Sequence, residues 1–159
     1  MRDRAGDLNQ LRWTTGSFRD PSKRYPTKAQ KAAKREQRAG NSLAHLNLLR
    51  MMPCAVCHET RSIHPHHLRS LEAAKERGVG RKATDRHAVP LCFDHHLGCG
   101  GVHSVGSRQE VAWFRDNYGI DCHNLAACLW SATGDLGRMN RVLLAHKLAA
   151  SRELVSRRR

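Results

Sequence analysis

The chain has 159 residues, 40% of them hydrophobic, and a formal net charge of +14, which suits one modest domain and a polyanionic partner whose phosphates Lys and Arg would neutralise. No apolar run approaches the ~18 residues of a membrane span, and Met1-Arg2-Asp3-Arg4 is charged with no apolar stretch behind it. Neither a membrane span nor a secretory signal is therefore expected.

Residues 1–40 read as a basic arm. They carry eleven Lys or Arg against Asp3, Asp7, Asp20 and Glu36, so half of the excess charge sits in the first quarter of the chain. Up to about residue 25 there is no sustained periodicity, and Gly16, Pro21 and Pro26 break it further, which predicts a segment disordered or draped on the core. From Thr27 the run Lys28-Ala29-Gln30-Lys31-Ala32-Ala33-Lys34-Arg35-Glu36-Gln37 is helix-forming but has no apolar face, as suits a helix that contacts nucleic acid through Lys28, Lys31, Lys34 and Arg35. After Gly40, either Asn41 or Ser42 can cap a short helix whose Leu43, Leu46, Leu49 and Met52 recur at helical spacing before Pro53.

From Cys54 to about His103 the sequence is that of a small irregular module, with turns, β-prone pieces around 62–64 and a loop at Gly78 and Gly80. Helices follow: one capped by Ser107, running through Trp113, Phe114 and Tyr118 to stop at Gly119; one over 124–130; and one with Leu136, Met139, Leu143 and Ala150 along one face. These aromatics and Met139 fit a core better than a ligand site. Arg157-Arg158-Arg159 makes a second basic end. The predicted class is α+β: a basic arm over 1–40, a metal-stapled core over 41–121 and a helical extension with a basic tail over 122–159.

Eight of the 11 histidines and four of the six cysteines lie between Cys54 and His103. Cys54-Ala55-Val56-Cys57 and Cys92-Phe93-Asp94-His95 are two short knuckles, the arrangement tetrahedral Zn²⁺ prefers because each offers two donors from one tight turn. They predict a structural Cys3His zinc site. Interleaved histidines favour thiolate ligation in a reducing compartment over disulfides. Cys99 and His58 are spare donors, and Cys122 and Cys128 read as core packing.

The remaining histidines read as chemistry. His67 is the candidate general base, since a neutral imidazole can take a proton from water near pH 7. Its neighbour His66 can face a second metal if the pair sits where a strand ends. His96 follows the fourth zinc donor on a rigid knuckle and can close that second site, with His103 as a third ligand across Gly98-Cys99-Gly100-Gly101. A divalent ion held by few imidazoles keeps positions open for water and phosphate oxygens.

These residues resemble the HNH endonuclease family, with its ββα-metal fold, and are similar above all to small phage and prophage members. Those share the ordered elements Cys-x-x-Cys, His-His-Leu, Gly-x-Gly-x-Lys-x-x-Asp, Pro-Leu-Cys-x-x-His-His and a later His-x-x-Gly. Here these read as Cys54/Cys57, His66-His67-Leu68, Gly78 to Asp85, Pro90 to His96 and His103 to Gly106, covering about residues 45–121. The glycines before His103 look like an insertion relative to tighter spacings. The resemblance implies a DNA endonuclease with His66 and His96 on the catalytic ion, Mg²⁺, Mn²⁺ or another divalent ion, and His67 as base. His87 falls at the middle position that orients the base, with Asp85 competing for it. Arg69, Arg81 and Lys82 are the expected contacts to the scissile phosphate.

The implied partner is double- or single-stranded DNA, with a recombination or packaging protein as a further candidate and no membrane. The implied location is the cytoplasm, the host's if the gene is phage-borne. The alternative is a zinc-stapled nucleic-acid-binding module without catalysis, which has no use for His66, His67 or His96. One bound zinc would mark that module, and zinc plus a chelator-labile second ion would mark the nuclease.

Overall fold

In a computed structural model, residues 25–37, 39–75 and 83–157 are described. The arm before residue 25, the loop at Gly78 and Gly80, and Arg81 and Lys82 lie outside the described residues. Helix α1, Lys28–Glu36, opens with a reciprocal cap: Gln30 N–H donates to Thr27 Oγ1 and Thr27 N–H to Gln30 Oε1. Lys28, Lys31 and Lys34 are exposed along it. Helix α2, Leu43–Arg50, is capped by Ser42, whose Oγ accepts from His45 N–H at 3.2 Å. Its Leu46 and Leu49 enter the core with Met52, which follows it.

Strands β1, His64–His67, and β2, Ala88–Leu91, form a two-stranded antiparallel sheet that pairs His66 with Val89 and His67 with Ala88. Pro65 faces Pro90 across it, tolerable because the Pro90 backbone turns away from β1, its carbonyl accepting from Ala55 N–H, so no ladder donor is lost there. Helix α3, Leu71–Ala74, is followed in the described chain by the 3₁₀ turn Asp85–His87 that leads into β2. Helix α4, Phe93–His96, leads to a second 3₁₀ turn, Val102–Ser104. Between them a Cβ on Gly98 or Gly101 would lie 2.6 or 2.7 Å from the Asp94 carbonyl oxygen, so only glycine lets this loop fold back on α4.

Helix α5, Glu110–Tyr118, begins later than its predicted cap, because residues 107–109 form a separate turn and the position before the helix offers no side-chain cap. It ends at Gly119, with φ 66° in the left-handed region. Helix α6, Cys122–Ser131, is capped by Asp121, and helix α7, Leu136–Arg157, completes the fold. The two C-terminal helices, expected as an extension, share one core with the sheet: Leu125, Leu129, Met139 and Leu143 pack in the same cluster as Leu68, Val89 and Leu91. No helix among the described residues is long and apolar enough to cross a membrane.

Candidate metal centres and catalytic site

The two knuckles meet. Ala55 N–H donates to Pro90 O at 2.8 Å, which anchors the first knuckle against β2, and Val56 N–H donates to Cys54 Sγ at 3.4 Å. Cys92 stands just before α4 and His95 lies within it, so the second knuckle is the strand-to-helix corner itself. Cys57 Sγ lies 3.7 Å from Cys92 Sγ, Cys54 Sγ 3.8 Å from His95 Nδ1 and Cys92 Sγ 3.2 Å from His95 Nδ1. All four donors fall within 4.8 Å of one another. Tetrahedral bonds of about 2.3 Å to sulfur separate two thiolates by roughly 3.8 Å, far beyond the ~2.05 Å of a disulfide. The cluster could hold a metal ion such as zinc. Of the spare donors, neither Cys99 nor His58 belongs to it. Cys122 is buried in the core, with its thiol pushed up to about 12 by desolvation, and is unreactive there.

A second cluster sits beside the first. His66, His96 and His103 each bring one donor atom within 4.8 Å of the others, from β1, α4 and the second 3₁₀ turn. Burial, followed by the neighbouring His66 and His103, pushes His96 down to about 4, so it is a neutral donor at physiological pH. His96 Nδ1 is buried with no hydrogen-bond partner among the described residues. An orphaned nitrogen in a pocket of three imidazoles fits a bound cation.

His66 is fully buried and its Nε2–H donates to Glu110 Oε1 at 2.5 Å, which fixes the tautomer and leaves Nδ1 as its donor atom. Burial pushes the Glu110 carboxyl up, but the hydrogen bonds it accepts from His66 and Arg69, with the charge of Arg69, outweigh it and hold the group below the usual carboxylate range. Arg69, expected on a phosphate, forms a clasp within the protein. Its N–H donates to Glu110 Oε2 at 2.5 Å, and its Nη2 donates to the carbonyls of Val102 and Val105 at 2.7 and 3.2 Å, bracketing the turn that carries His103.

His67, next along the chain, is the last residue of β1. Its Nε2 lies 2.8 Å from Asp85 Oδ1, and Asp85 is buried. Ser42 N–H donates to Asp85 Oδ2 at 3.0 Å and Asp85 N–H to Asn41 Oδ1 at 3.3 Å, so the carboxylate is fixed from the start of α2. With Nε2–H committed to Asp85, the lone pair of His67 is on Nδ1. Of the two residues competing for the middle position, Asp85 therefore makes the bond to His67. His87 contributes its carbonyl to Leu68 N–H, while its ring accepts from Arg86 Nε at 3.4 Å and faces His123 at 6.5 Å. Burial, then the charge of Arg86, holds its imidazole below the usual range.

Sequence reasoning missed Glu110, Asn41 and Ser42 as site residues. Comparison with protein-family models, with curated proteins and with solved structures gave no match.

Proposed function

We propose that the protein is a metal-dependent endonuclease of the HNH type that hydrolyses DNA phosphodiester bonds. The observation that supports this most is one juxtaposition in β1: His67, paired with the buried Asp85, directly follows His66, a member of the three-imidazole cluster. A purely binding module has no use for either arrangement.

In this reading His67 Nδ1 takes a proton from a water whose oxygen attacks phosphorus, the bond to the 3′ oxygen breaks as that oxygen takes a proton from solvent, and the ends carry a 5′-phosphate and a 3′-hydroxyl. Asp85 holds the ring in the tautomer that exposes Nδ1 and stabilises the imidazolium that forms. A divalent ion held by His66, His96 and His103 would supply Lewis-acid stabilisation of the negative charge at the phosphate. Glu110 and Arg69 keep those imidazoles in register, and the exposed Lys28, Lys31 and Lys34 suit the DNA backbone. The Cys3His centre carries the scaffold role.

The test is cleavage of supercoiled plasmid and of single-stranded DNA with Mg²⁺, Mn²⁺, Ni²⁺ or Co²⁺. Cleavage by the parent and none by folded His67→Ala supports the reading. Intact DNA under every ion, or undiminished cutting by His67→Ala, overturns it.

A further inference from the structure

Helix α7 places a lysine where its pattern asks for an apolar residue. Met139, Leu143 and Ala150 form the buried stripe of α7, and Lys147 stands on that stripe, one turn beyond Leu143. It is half-buried, and its Nζ donates to the carbonyl oxygen of Cys54 at 2.9 Å, across 93 residues of chain. That contact sets the ammonium against the first knuckle, whose Cys54 and Cys57 supply two of the four clustered donors. A buried ammonium is costly unless an opposite charge compensates it.

Three thiolates and one neutral imidazole around a divalent ion leave a net anion. A net anion in a partly buried centre needs, in turn, a cation or donors outside the coordination sphere. Lysine and centre thus solve each other's problem. We propose that Lys147 is the outer-sphere counter-charge of the Cys3His centre, retaining its metal and making α7 a working part of the site. The proposal rests on that centre holding a thiolate-bound metal. It is independent of the nuclease chemistry.

The interaction is electrostatic at the ligand set, so it separates from mere packing. Zinc-loaded full-length protein is mixed with a chromophoric chelator and zinc release is timed for the parent, Lys147→Met, Lys147→Arg and Leu143→Ala. Lys147→Met keeps the aliphatic stem and should release zinc about ten- to a hundredfold faster, whereas Lys147→Arg stays near the parent. Should Lys147→Met not fold, Lys147→Gln reads the same loss of charge. In Co²⁺-loaded protein the thiolate-to-cobalt absorption should shift in Lys147→Met and not in Leu143→Ala, a readout that core packing does not move.

Parental release from Lys147→Met overturns the proposal, as does equal acceleration by Lys147→Arg, or by Leu143→Ala together with an unshifted cobalt band. A parent that retains neither zinc nor cobalt overturns both the proposal and the centre beneath it.

Discussion

The Cys3His centre and the trihistidine cluster lie side by side, and they differ in how their donors are gathered. The first draws all four donors from two tight turns, forming a closed set of the kind that serves structure. The second collects three imidazoles from three separate elements and depends on partners that bind no metal: Glu110 on His66, and the Arg69 clasp around the His103 turn. Three donors leave coordination positions open, which is what chemistry on a phosphate requires. On the proposed reading the closed set holds the fold and the open set is held by it, so substitutions in the two should fail in different ways.

The largest expected effect is at the closed set. Cys57→Ser, or prolonged treatment with a strong chelator, should unfold the sheet region, because metal binding free energy in such a site is folding free energy. Loss of cooperative thermal unfolding would show it, and a parental melting curve would separate the centre from the fold. His67→Ala comes next: DNA cleavage falls by about 10²- to 10⁴-fold while circular dichroism and DNA affinity stay parental. Asp85→Asn should produce a similar loss through the wrong tautomer.

Glu110→Gln should weaken the second ion about ten- to a hundredfold and leave zinc content unchanged. Titration calorimetry with Mn²⁺ reads this, and unchanged Mn²⁺ affinity would mean that the carboxylate does not orient His66.

The smallest effect concerns pH. His45 is fully buried, its Nδ1 lies 2.7 Å from Thr133 Oγ1, and burial pushes it down to about 4. Its folded-state value lies below the unfolded one of about 6.5, so the unfolded chain binds the extra proton and stability falls as pH drops through that window. His45→Gln should flatten that part of the denaturant-midpoint profile, and an unchanged slope would assign the pH dependence to other groups.

What could be read from the sequence follows the same division. Cys54, Cys57, Cys92 and His95 were legible because ligands that share a turn must share a spacing. His66, His67 and His96 were legible because they abut those knuckles or one another. The supporting groups were not. Glu110 lies 44 residues from His66, and no spacing rule links a carboxylate to an imidazole it meets only after folding. Its distance from Ser107 is that of a capping box, yet the helix begins at Glu110 and turns it inward. Asp85 and His87 are two residues apart, and only the 3₁₀ turn between them decides which reaches His67. Arg69 follows the His-His-Leu run and reads as a phosphate contact, and nothing in that spacing announces its bonds to Glu110 and two carbonyls. Ordinary helical periodicity placed the C-terminal helices, whereas a lysine on the buried stripe of α7 has meaning only beside the Cys54 carbonyl that it reaches across 93 residues.

Metal content and cleavage measured on one sample test the division most directly. Protein loaded with zinc and Mn²⁺ is counted by mass spectrometry of the metals, treated with a mild chelator, counted again and assayed on plasmid. Two ions per chain should fall to one retained zinc, with the fold intact and cleavage lost, and added Mn²⁺ should restore cutting. A single ion per chain from the outset, or cleavage that survives removal of the labile ion, would contradict the separation of a closed structural centre from an open catalytic one.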